Sequence, residues 1–508
     1  MRFALRSQQR PVLAAVAALA ATALVPVTLA AAPVSPAGAA SGRTAAMGPV
    51  VRLEAAQRNV TIGSSHGFVQ MDPGVWVESL GSALQFDVQR AAYTKPVTLT
   101  QIIQTPWGSV RRRPLPASML DGWDGLKHFV RLTVRNASGS VVASPWLTFC
   151  PNTYDPERAS SAGPASEPYP QACGLDPFPL SLVWGIAKGW AADPAEDYPP
   201  SPLGPGPFMH LNPGKYQVTE SVAPAYVRAL HIASGAAAAT VAVTVVKGAV
   251  STGPGGSRGG GKDVPAPRSP ARVPYLAHPP ASILPDVVPL PSWGISTTAT
   301  HSGLDLLNFG ATVWVSGNGP LDVEGFRSPG SPIMKAYQYY WRDGRVIGRT
   351  RAGIMRYDNQ NGHHHWHFEQ FARYVLLNSA KKQAVRSHKV GFCIAPSDPV
   401  DLLAPNAQWQ PSLLGLVGQC GTPTALWVRE MMPVGWGDTY FQTIAGQSFS
   451  ITNVPNGTYY IELDVNPVGL LHETTTANDV SLRKVILGGT PGHRTVQVPA
   501  WHGIDPES

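Results

Sequence analysis

The chain has 508 residues, of which 44% are hydrophobic and only 14% charged, with 50 glycines and 50 prolines. This composition supports a folded chain and favours a β-rich secreted protein with many turns. The formal net charge is +7, and because 111–113 is the only dense basic cluster, we expect no nucleic-acid-binding surface.

Residues 1–32 have the features of a secretory signal peptide. Arg2, Arg6 and Arg10 precede an apolar, alanine-rich stretch that ends in small residues suited to cleavage. An uncleaved membrane anchor is the alternative. No later segment has the roughly 18 consecutive apolar residues that a transmembrane helix needs. We therefore expect a secreted, extracellular protein with no stable membrane insertion after signal removal, and a disordered segment at 33–50.

Residues 51–247 are predicted to form a β-sandwich domain, of unknown role. Apolar residues alternate in short runs that are separated by turn formers such as Asp72-Pro73-Gly74 and Asn212-Pro213-Gly214. The part from Pro151 to Pro207 is rich in proline and serine, and it is predicted to be an extended excursion. Residues 248–283 follow as a linker rich in glycine and proline, a composition that cannot bury a core.

A second folded region is predicted at 284–490, with a tail at 491–508. Apolar residues alternate from Leu307 to Val315 and from Tyr459 to Val465, each run lying next to a turn rich in glycine, asparagine and proline. The predicted fold class is therefore all-β, with two mainly antiparallel β-sandwich-like domains joined by the linker.

Four cysteines fall into two pairs that are close in sequence. In an oxidising compartment we expect the disulfides Cys150–Cys173 and Cys393–Cys420, although four cysteines allow three connectivities. Thiolate metal ligation is the alternative, but the close CxxC spacing of such sites is absent.

The most informative stretch lies in the second region, at 362–368. His363, His365 and His367 are spaced two residues apart, so in extended backbone they share one face. A flat strand separates the first and third Cα atoms by roughly 13 Å, whereas a metal–nitrogen bond is about 2 Å. If the three imidazoles bind one ion, the backbone must bend here.

A polar surface loop rich in histidine is the alternative interpretation of this stretch. Against it, aromatic residues are interleaved with the histidines and follow them, which ties the segment to a core. These residues are Trp366, Phe368, Phe371 and Tyr374.

Several motifs in this region resemble, in the same order, those of the lysyl oxidase family. The resemblance covers about 200 residues and leaves out the amino-terminal half of the chain. The matching segments are Leu284-Pro285-Asp286-Val287-Val288; His363-x-His365-x-His367 with the Phe- and Tyr-containing strand after it; Ser387-His388-Lys389-Val390-Gly391-Phe392-Cys393; Gly435-Trp436-Gly437-Asp438-Thr439-Tyr440; and Ile451-Thr452-Asn453-Val454-Pro455 with Asn466-Pro467.

The resemblance implies a copper-dependent amine oxidase that carries an additional N-terminal β-domain. His363, His365 and His367 would hold copper, which suits imidazole ligands. Lys389 and Tyr440 would be the two precursors of lysine tyrosylquinone, the organic cofactor of the family. Primary amines, peptidyl lysine among them, would be converted to aldehydes, with O₂ consumed and H₂O₂ and NH₃ released.

The chain departs from the animal members of the family in three ways. They have many more cysteines in this domain, they have one more residue between the last copper histidine and the following tyrosine, and they have a histidine where this chain has Arg373. The general base is therefore unassigned. His388 is either a group that supports the site or a surface histidine, and Asp438 either orients the tyrosine, acts as the base, or caps a turn.

Two other functions stay open on the sequence. One is a non-catalytic metal-binding β-domain protein of the cell surface. The other is a hydrolase with a three-histidine zinc, which needs a carboxylate base such as Glu369 nearby. Lys389 and Tyr440 discriminate between the classes, because neither alternative requires them.

Overall fold

The computed structural model describes residues 50–104, 108–174, 176–195, 207–248, 269–360, 363–387, 389 and 391–507. The predicted signal peptide, the predicted disordered segment up to residue 49 and linker residues 249–268 lie outside this set. Within it the structure is nearly all β, with a single α-helix. The all-β, mainly antiparallel prediction is confirmed.

The first region, residues 50–248, holds the strands β1 to β16 and the helix α1. They are β1 Val50–Ala55, β2 Asn59–Ser65, β3 Phe68–Gln70, β4 Val75–Leu80, β5 Leu84–Gln89, β6 Thr98–Gln104, β7 Val110–Leu115, β8 Leu126–Asn136, β9 Val141–Ala143, β10 Trp146–Phe149, β11 Glu157–Arg158, β12 Ser181–Ile186, β13 Trp190–Ala192, β14 Phe208–His210, β15 Gly214–Val222, α1 Pro224–Leu230 and β16 Ala238–Lys247.

Three sheets form in this region. Their strand orders are β1-β4-β13-β11, β10-β8-β15-β16-β2-β3-β14 with β9 beside β8, and β12-β5-β6-β7. Pairing is antiparallel except between β2 and β16, which run parallel. Alternating apolar positions face a common interior, as in β16, where Val241, Val243 and Val245 are buried.

The second region, residues 269–507, holds the strands β17 to β33. They are β17 Pro285–Pro289, β18 Trp293–Ala299, β19 Asp305–Gly317, β20 Leu321–Phe326, β21 Ile333–Arg342, β22 Arg345–Asp358, β23 His365–Glu369, β24 Ala372–Asn378, β25 Gln383–Arg386, β26 Gly391–Phe392, β27 Asp398–Pro399, β28 Trp427–Met432, β29 Trp436–Tyr440, β30 Ser448–Ser450, β31 Gly457–Val465, β32 Val480–Thr490 and β33 His493–Gln497.

Three further sheets form here. Their orders are β17-β19-β29-β27 with β18 and β30 also on β19, β26-β23-β22-β21-β20-β28, and β25-β24-β31-β32-β33. Among the described strands, no sheet combines members of both regions. The regions nevertheless touch directly, since an isolated bridge joins Ser181 to Asp401. The division into two domains with a mobile linker stays a prediction.

The structure changes three details of the predicted organisation. The described part of the excursion at 151–207 belongs to the sheets of the first region, because β12 pairs with β5 and β13 pairs with β4. Helix α1 was not predicted; it begins at Pro224, whose fixed φ and missing N–H suit a first helical position. The residues predicted as a tail include β33, which pairs with β32, so the second region extends to 507.

Part of the predicted linker also packs on the second region. Leu276 N donates to Arg349 O at 3.0 Å, and Arg349 N donates to Pro274 O at the same distance. Both predicted disulfides, Cys150–Cys173 and Cys393–Cys420, form. Across the described ranges, no helix has the length and apolar character needed to span a membrane.

Candidate functional site

The histidine segment lies at the beginning of β23, which pairs antiparallel with β22. His363 precedes the strand in a turn, where its amide donates to Gln360 O at 3.0 Å. His364 has φ 52°, in the left-handed region. This local change of direction brings His363 to the face of His365 and His367, so the predicted bend is confirmed.

The three imidazoles converge. One nitrogen from each of His363, His365 and His367 can be chosen so that all three lie within 4.8 Å of one another, and His363 Nδ1 is 3.2 Å from His367 Nε2. Two nitrogens bound to one metal at about 2.0–2.1 Å in tetrahedral geometry lie about 3.3 Å apart. The spacing therefore fits two ligands of a single ion.

His365 provides an independent test of that fit. Its Nε2 atom is buried and has no hydrogen-bond partner among the described residues. A buried polar atom without a partner costs free energy unless a proton, water or metal satisfies it. A metal ion at the point of convergence would supply the missing partner.

The aromatic residues around the histidines belong to the core, as predicted. Trp366 and Phe368 point to the opposite face of β23 and are buried, and so are Phe371 and Tyr374. This packing holds the strand in place and leaves the alternate positions, His365, His367 and Glu369, on the face toward the site. The interpretation as a polar surface loop is wrong.

Asp358 lies beside the histidines and was not singled out from the sequence. It is directly opposite His365 on β22, and its Oδ2 is 3.5 Å from His367 Nδ1 and 3.9 Å from His363 Nδ1. For His367, whose Nε2 converges with the other rings, Nδ1 is the second nitrogen, and a carboxylate near the second nitrogen of a ligating histidine orients the ring toward the metal. The sequence held a signal for this residue, because turn formers at 359–362 separate it from the histidines and favour a hairpin.

The electrostatic surroundings keep the histidines neutral. Burial lowers the pKa of all three, and the other positive groups nearby, Lys389 among them, lower it further. For His367 the pKa falls to about 3. Neutral imidazole is the form that binds metals, so protons do not compete for these nitrogens near neutral pH.

Lys389 and Tyr440 are far apart in sequence but adjacent in the fold. Lys389 Nζ lies 3.8 Å from the centroid of the Tyr440 ring and 5.0 Å from that of Phe392. The amine is buried and has no hydrogen-bond partner within the described part of the chain. Burial lowers the pKa of Lys389 to about 8, although Asp438 and Asp358 oppose the shift. About a tenth of this amine is therefore neutral and nucleophilic at pH 7, far more than for an exposed lysine.

The hydroxyl group of Tyr440 is held by the main chain of Cys393. It accepts a hydrogen bond from Cys393 N at 3.1 Å and lies 3.0 Å from Cys393 O, to which it donates. Burial, followed by the charge of Asp438, raises the pKa of Tyr440 well above its usual value. The phenol is therefore neutral, and its ring position is set by β29 at one end and by Cys393 at the other.

The second disulfide connects this tyrosine to the histidine strand. Cys393 is bonded to Cys420, and Cys420 O accepts a hydrogen bond from Trp366 N at 2.8 Å. Trp366 lies between His365 and His367. The disulfide thus joins the segment that holds the Tyr440 hydroxyl to the strand that carries the histidines.

A cavity of about 280 Å³ opens on the site. Lys389, His363 and His367 line it together, and Lys389 also contacts the Tyr440 ring, which is not a lining residue. The carboxyl groups of Asp358 and Glu369 lie in the same wall. The remaining lining residues are Arg356, Tyr357, Gln360, Gly391, Ala445 and Gly446.

The other residues weighed in the sequence have varied positions. His388 lies outside the described residues. Asp438 is buried next to Lys389 and Tyr440; burial raises its pKa, and the Lys389 charge opposes that shift. Arg373, which replaces the histidine of animal family members, forms an ion pair with Asp464 on the neighbouring strand β31.

The fold and the site together define an all-β protein with a three-histidine group within metal-binding distance, beside a buried lysine–tyrosine contact. Comparison with known proteins adds no relative, because no known family model matches the chain and a search of curated proteins found no match. The resemblance to lysyl oxidases therefore stays a hypothesis based on the motifs.

Proposed function

We propose that this protein is a secreted copper-dependent amine oxidase of the lysyl oxidase type. One primary amine, which includes peptidyl lysine, would react with one O₂ and one water to give an aldehyde, ammonia and hydrogen peroxide. The observation that carries the proposal is the contact between Lys389 Nζ and the Tyr440 ring, 3.8 Å to its centroid. Neither a purely structural metal site nor a hydrolase requires that contact.

The donor set suits copper. Three neutral imidazoles converge, one of them with an unpartnered nitrogen, and Cu²⁺ binds such nitrogen ligands more tightly than the other divalent first-row metals. Copper together with a quinone derived from Lys389 and Tyr440 would supply the redox chemistry that the side chains of an unmodified protein lack. The metal ligands would be His363, His365 and His367.

The organic cofactor would come from the chain itself. Tyr440, Lys389 and two O₂ would give the crosslinked quinone, one water and one hydrogen peroxide, with a new C–N bond between Lys389 Nζ and a ring carbon. The amine is positioned over the ring before any reaction, and burial lowers its pKa to about 8. Both features favour attack, because reacting groups that are already in contact need little further ordering.

The cavity has room for an amine substrate. Its lining has two acidic residues, Asp358 and Glu369, and two basic ones, Arg356 and Lys389, so size rather than net charge is what it offers to a substrate. Its volume of about 280 Å³ fits one side chain or a small amine. A protein substrate would therefore offer a lysine side chain while its main chain stays outside.

One observation favours a second candidate, the zinc hydrolase. Glu369 lies on the same face of β23 as His365 and His367 and in the same cavity wall as His367. A zinc hydrolase needs such a carboxylate as general base for a metal-bound water. That mechanism leaves Lys389 and Tyr440 without a role, and for this reason we place it second.

The decisive experiment begins with protein made without copper. Adding copper in air should produce a joined Lys389–Tyr440 peptide in the mass spectrum, quinone absorbance, and peroxide release with a primary amine. Lys389→Arg and Tyr440→Phe should each abolish all three while copper stays bound. Glu369→Gln distinguishes the two candidates. A zinc hydrolase would lose its hydrolytic activity in this variant, whereas an amine oxidase would still form the Lys389–Tyr440 crosslink.

Two outcomes would contradict the proposal. If Lys389→Arg retained full amine-dependent peroxide production, the amine oxidase mechanism would fail. If wild-type protein bound copper but formed no crosslink in air, a non-catalytic metal-binding protein would be the better description.

A further inference from the structure

A short segment of the first region lies along the second region close to the strand of Tyr440. Leu180 N donates to Val400 O at 2.8 Å, and Leu402 N donates to Ser181 O at 2.8 Å. The Ser181 side chain adds two contacts, because its hydroxyl donates to the Asp401 carboxylate and accepts from Leu403 N at 2.9 Å. We call residues 176–181 the docking segment.

An apolar anchor accompanies these hydrogen bonds. Phe178 is fully buried and packs with Leu290, Trp314 and Val400 of the second region. Its ring is also edge-on to Trp501, with centroids 5.2 Å apart. Burying apolar area stabilises a contact roughly in proportion to the area removed from water, so the large, fully buried Phe178 is the main apolar contribution of the docking segment.

The docking segment reaches the Tyr440 strand through Asp398. One carboxylate oxygen of Asp398, Oδ2, accepts from Asp176 N at 2.9 Å and from Thr439 Oγ1 at 3.2 Å. Thr439 is the residue before Tyr440, and its hydroxyl also lies 2.8 Å from that of Thr312. Burial and the Asp398 charge raise the pKa of Asp176 to about 8, so at neutral pH Asp176 keeps its proton and the two acids do not repel each other.

The Tyr440 strand is paired unequally on its two sides, with four residue pairs to β19 and two to β27. Strand β29, which ends at Tyr440, lies between β19 and β27. Strand β27 is only two residues long, Asp398–Pro399, and each of them pairs with a residue of β29. A two-residue edge strand has little stability of its own and is prone to local opening. The docking segment bonds to the Asp398 side chain of β27 and to the residues that follow this strand, Val400 to Leu403.

We propose that the docking segment of the first region positions the Tyr440 strand, so that the tyrosine ring stays within reach of Lys389 and the crosslink can form. Asp176, Phe178 and Ser181 would be positioning residues, and cofactor formation would be the role of this contact between the regions. The inference depends on the proposed function for its chemistry. The structural part of the inference, that the docking segment keeps β29 in position, does not depend on the proposed function.

The test uses the full chain with Phe178→Ala and Ser181→Ala. Phe129→Ala is the matched control, because Phe129 is a fully buried phenylalanine of the first region that packs on Phe149 and Tyr226, outside the docking segment. In copper-free protein, hydrogen exchange of peptides covering 434–442 should be faster in the two test variants than in wild type and in Phe129→Ala. After copper is added in air, the crosslinked peptide should accumulate roughly tenfold more slowly or worse, since misplacing reacting groups by about 1 Å can cost 100-fold. Copper content should not change.

The outcomes separate this inference from the proposed function. If hydrogen exchange at 434–442 were unchanged in both test variants, the inference would be overturned, whether or not the crosslink forms. Faster exchange with a wild-type crosslinking rate would overturn it as well, because the contact would then not serve the reaction. If wild-type protein forms no crosslink, the proposed function fails, and the exchange measurement alone decides whether the docking segment holds the strand.

Discussion

The amine of Lys389 lies over the ring of Tyr440, with Nζ 3.8 Å from the ring centroid. Tyr440 is the last residue of β29, whereas Lys389 lies outside the described strands, between β25 and β26. Their contact exists in the unmodified chain, so no large movement is needed before a bond can form between them.

The first prediction concerns the pH dependence of crosslinking. Burial lowers the pKa of Lys389 to about 8, and only the neutral amine can attack the ring. Roughly half of the amine is neutral at pH 8 and about 1% at pH 6. The rate of quinone formation after adding copper in air should therefore rise roughly tenfold per pH unit from pH 6 and level off above pH 8.

Copper content measured at the same pH values is the control. The pKa of each of the three histidines is lowered, so metal binding should be constant over this range. A crosslinking rate that is equal at pH 6 and pH 8 would contradict the assigned role of Lys389.

The second prediction concerns the metal ligands. His365→Ala should lower copper content most among the three histidine variants, because His365 is central in the trio and its Nε2 has no other partner among the described residues. Affinity should fall by at least the roughly 10–100-fold that the loss of a supporting group alone costs. Metal analysis of purified protein measures this directly.

His364→Asn is the matched control, since His364 is exposed and lies outside the converging trio, and asparagine tolerates the left-handed backbone at this position. Its copper content should stay at the wild-type level. Wild-type copper content in His365→Ala would show that the ligand assignment is wrong.

The third prediction concerns the disulfide Cys393–Cys420. Replacing both cysteines by serine should lower stability by about 3 kcal/mol, visible as a lower thermal midpoint. Copper content should fall too, because Cys420 O holds Trp366 N in the histidine strand. The same replacement at Cys150 and Cys173 is the control, and it should lower stability but leave copper content unchanged. If the two double variants lost copper equally, the proposed link between the Cys393–Cys420 disulfide and the metal site would be refuted.

The fourth prediction concerns stability and pH in the first region. Glu167 is buried and accepts from Tyr169 N and Ala187 N, and burial raises its pKa to about 7. Because the pKa of Glu167 is higher in the folded state than in the unfolded state, its protonated form stabilises the fold. This contribution to the free energy of unfolding is fully present below about pH 4.5 and is lost as pH rises through 7. The loss is on the order of 2–3 kcal/mol.

Glu167→Gln should therefore lose less stability than wild type between pH 4.5 and pH 8, as measured by urea unfolding at both values. Exposed Glu157 provides the control, and Glu157→Gln should follow the wild-type profile. Other buried carboxyl groups titrate in the same window, Glu324 and Glu473 among them, so the difference between variants is the quantity to compare. Identical profiles for Glu167→Gln and wild type would reject the assignment.

Much of the fold follows from local patterns. The alternating runs at Leu307–Val315 and Tyr459–Val465 lie in β19 and β31, because alternate side chains of a strand point to the same face. Helix α1 was missed because seven residues are too few for a helical period to stand out. The strands at 151–207 were missed because proline and serine hid them, and β12 is buried at every position and so does not alternate.

The sequence by itself determined the three-histidine group, the two disulfides and the all-β class, because each depends on residues that are close together along the chain. Only the tertiary structure decided which distant groups meet: Lys389 with Tyr440, Asp358 and Glu369 with the histidines, and the docking segment with Asp398. These contacts depend on the order and packing of sheets. A periodic pattern says which face of a strand is buried, but it does not say which other strand that face will meet.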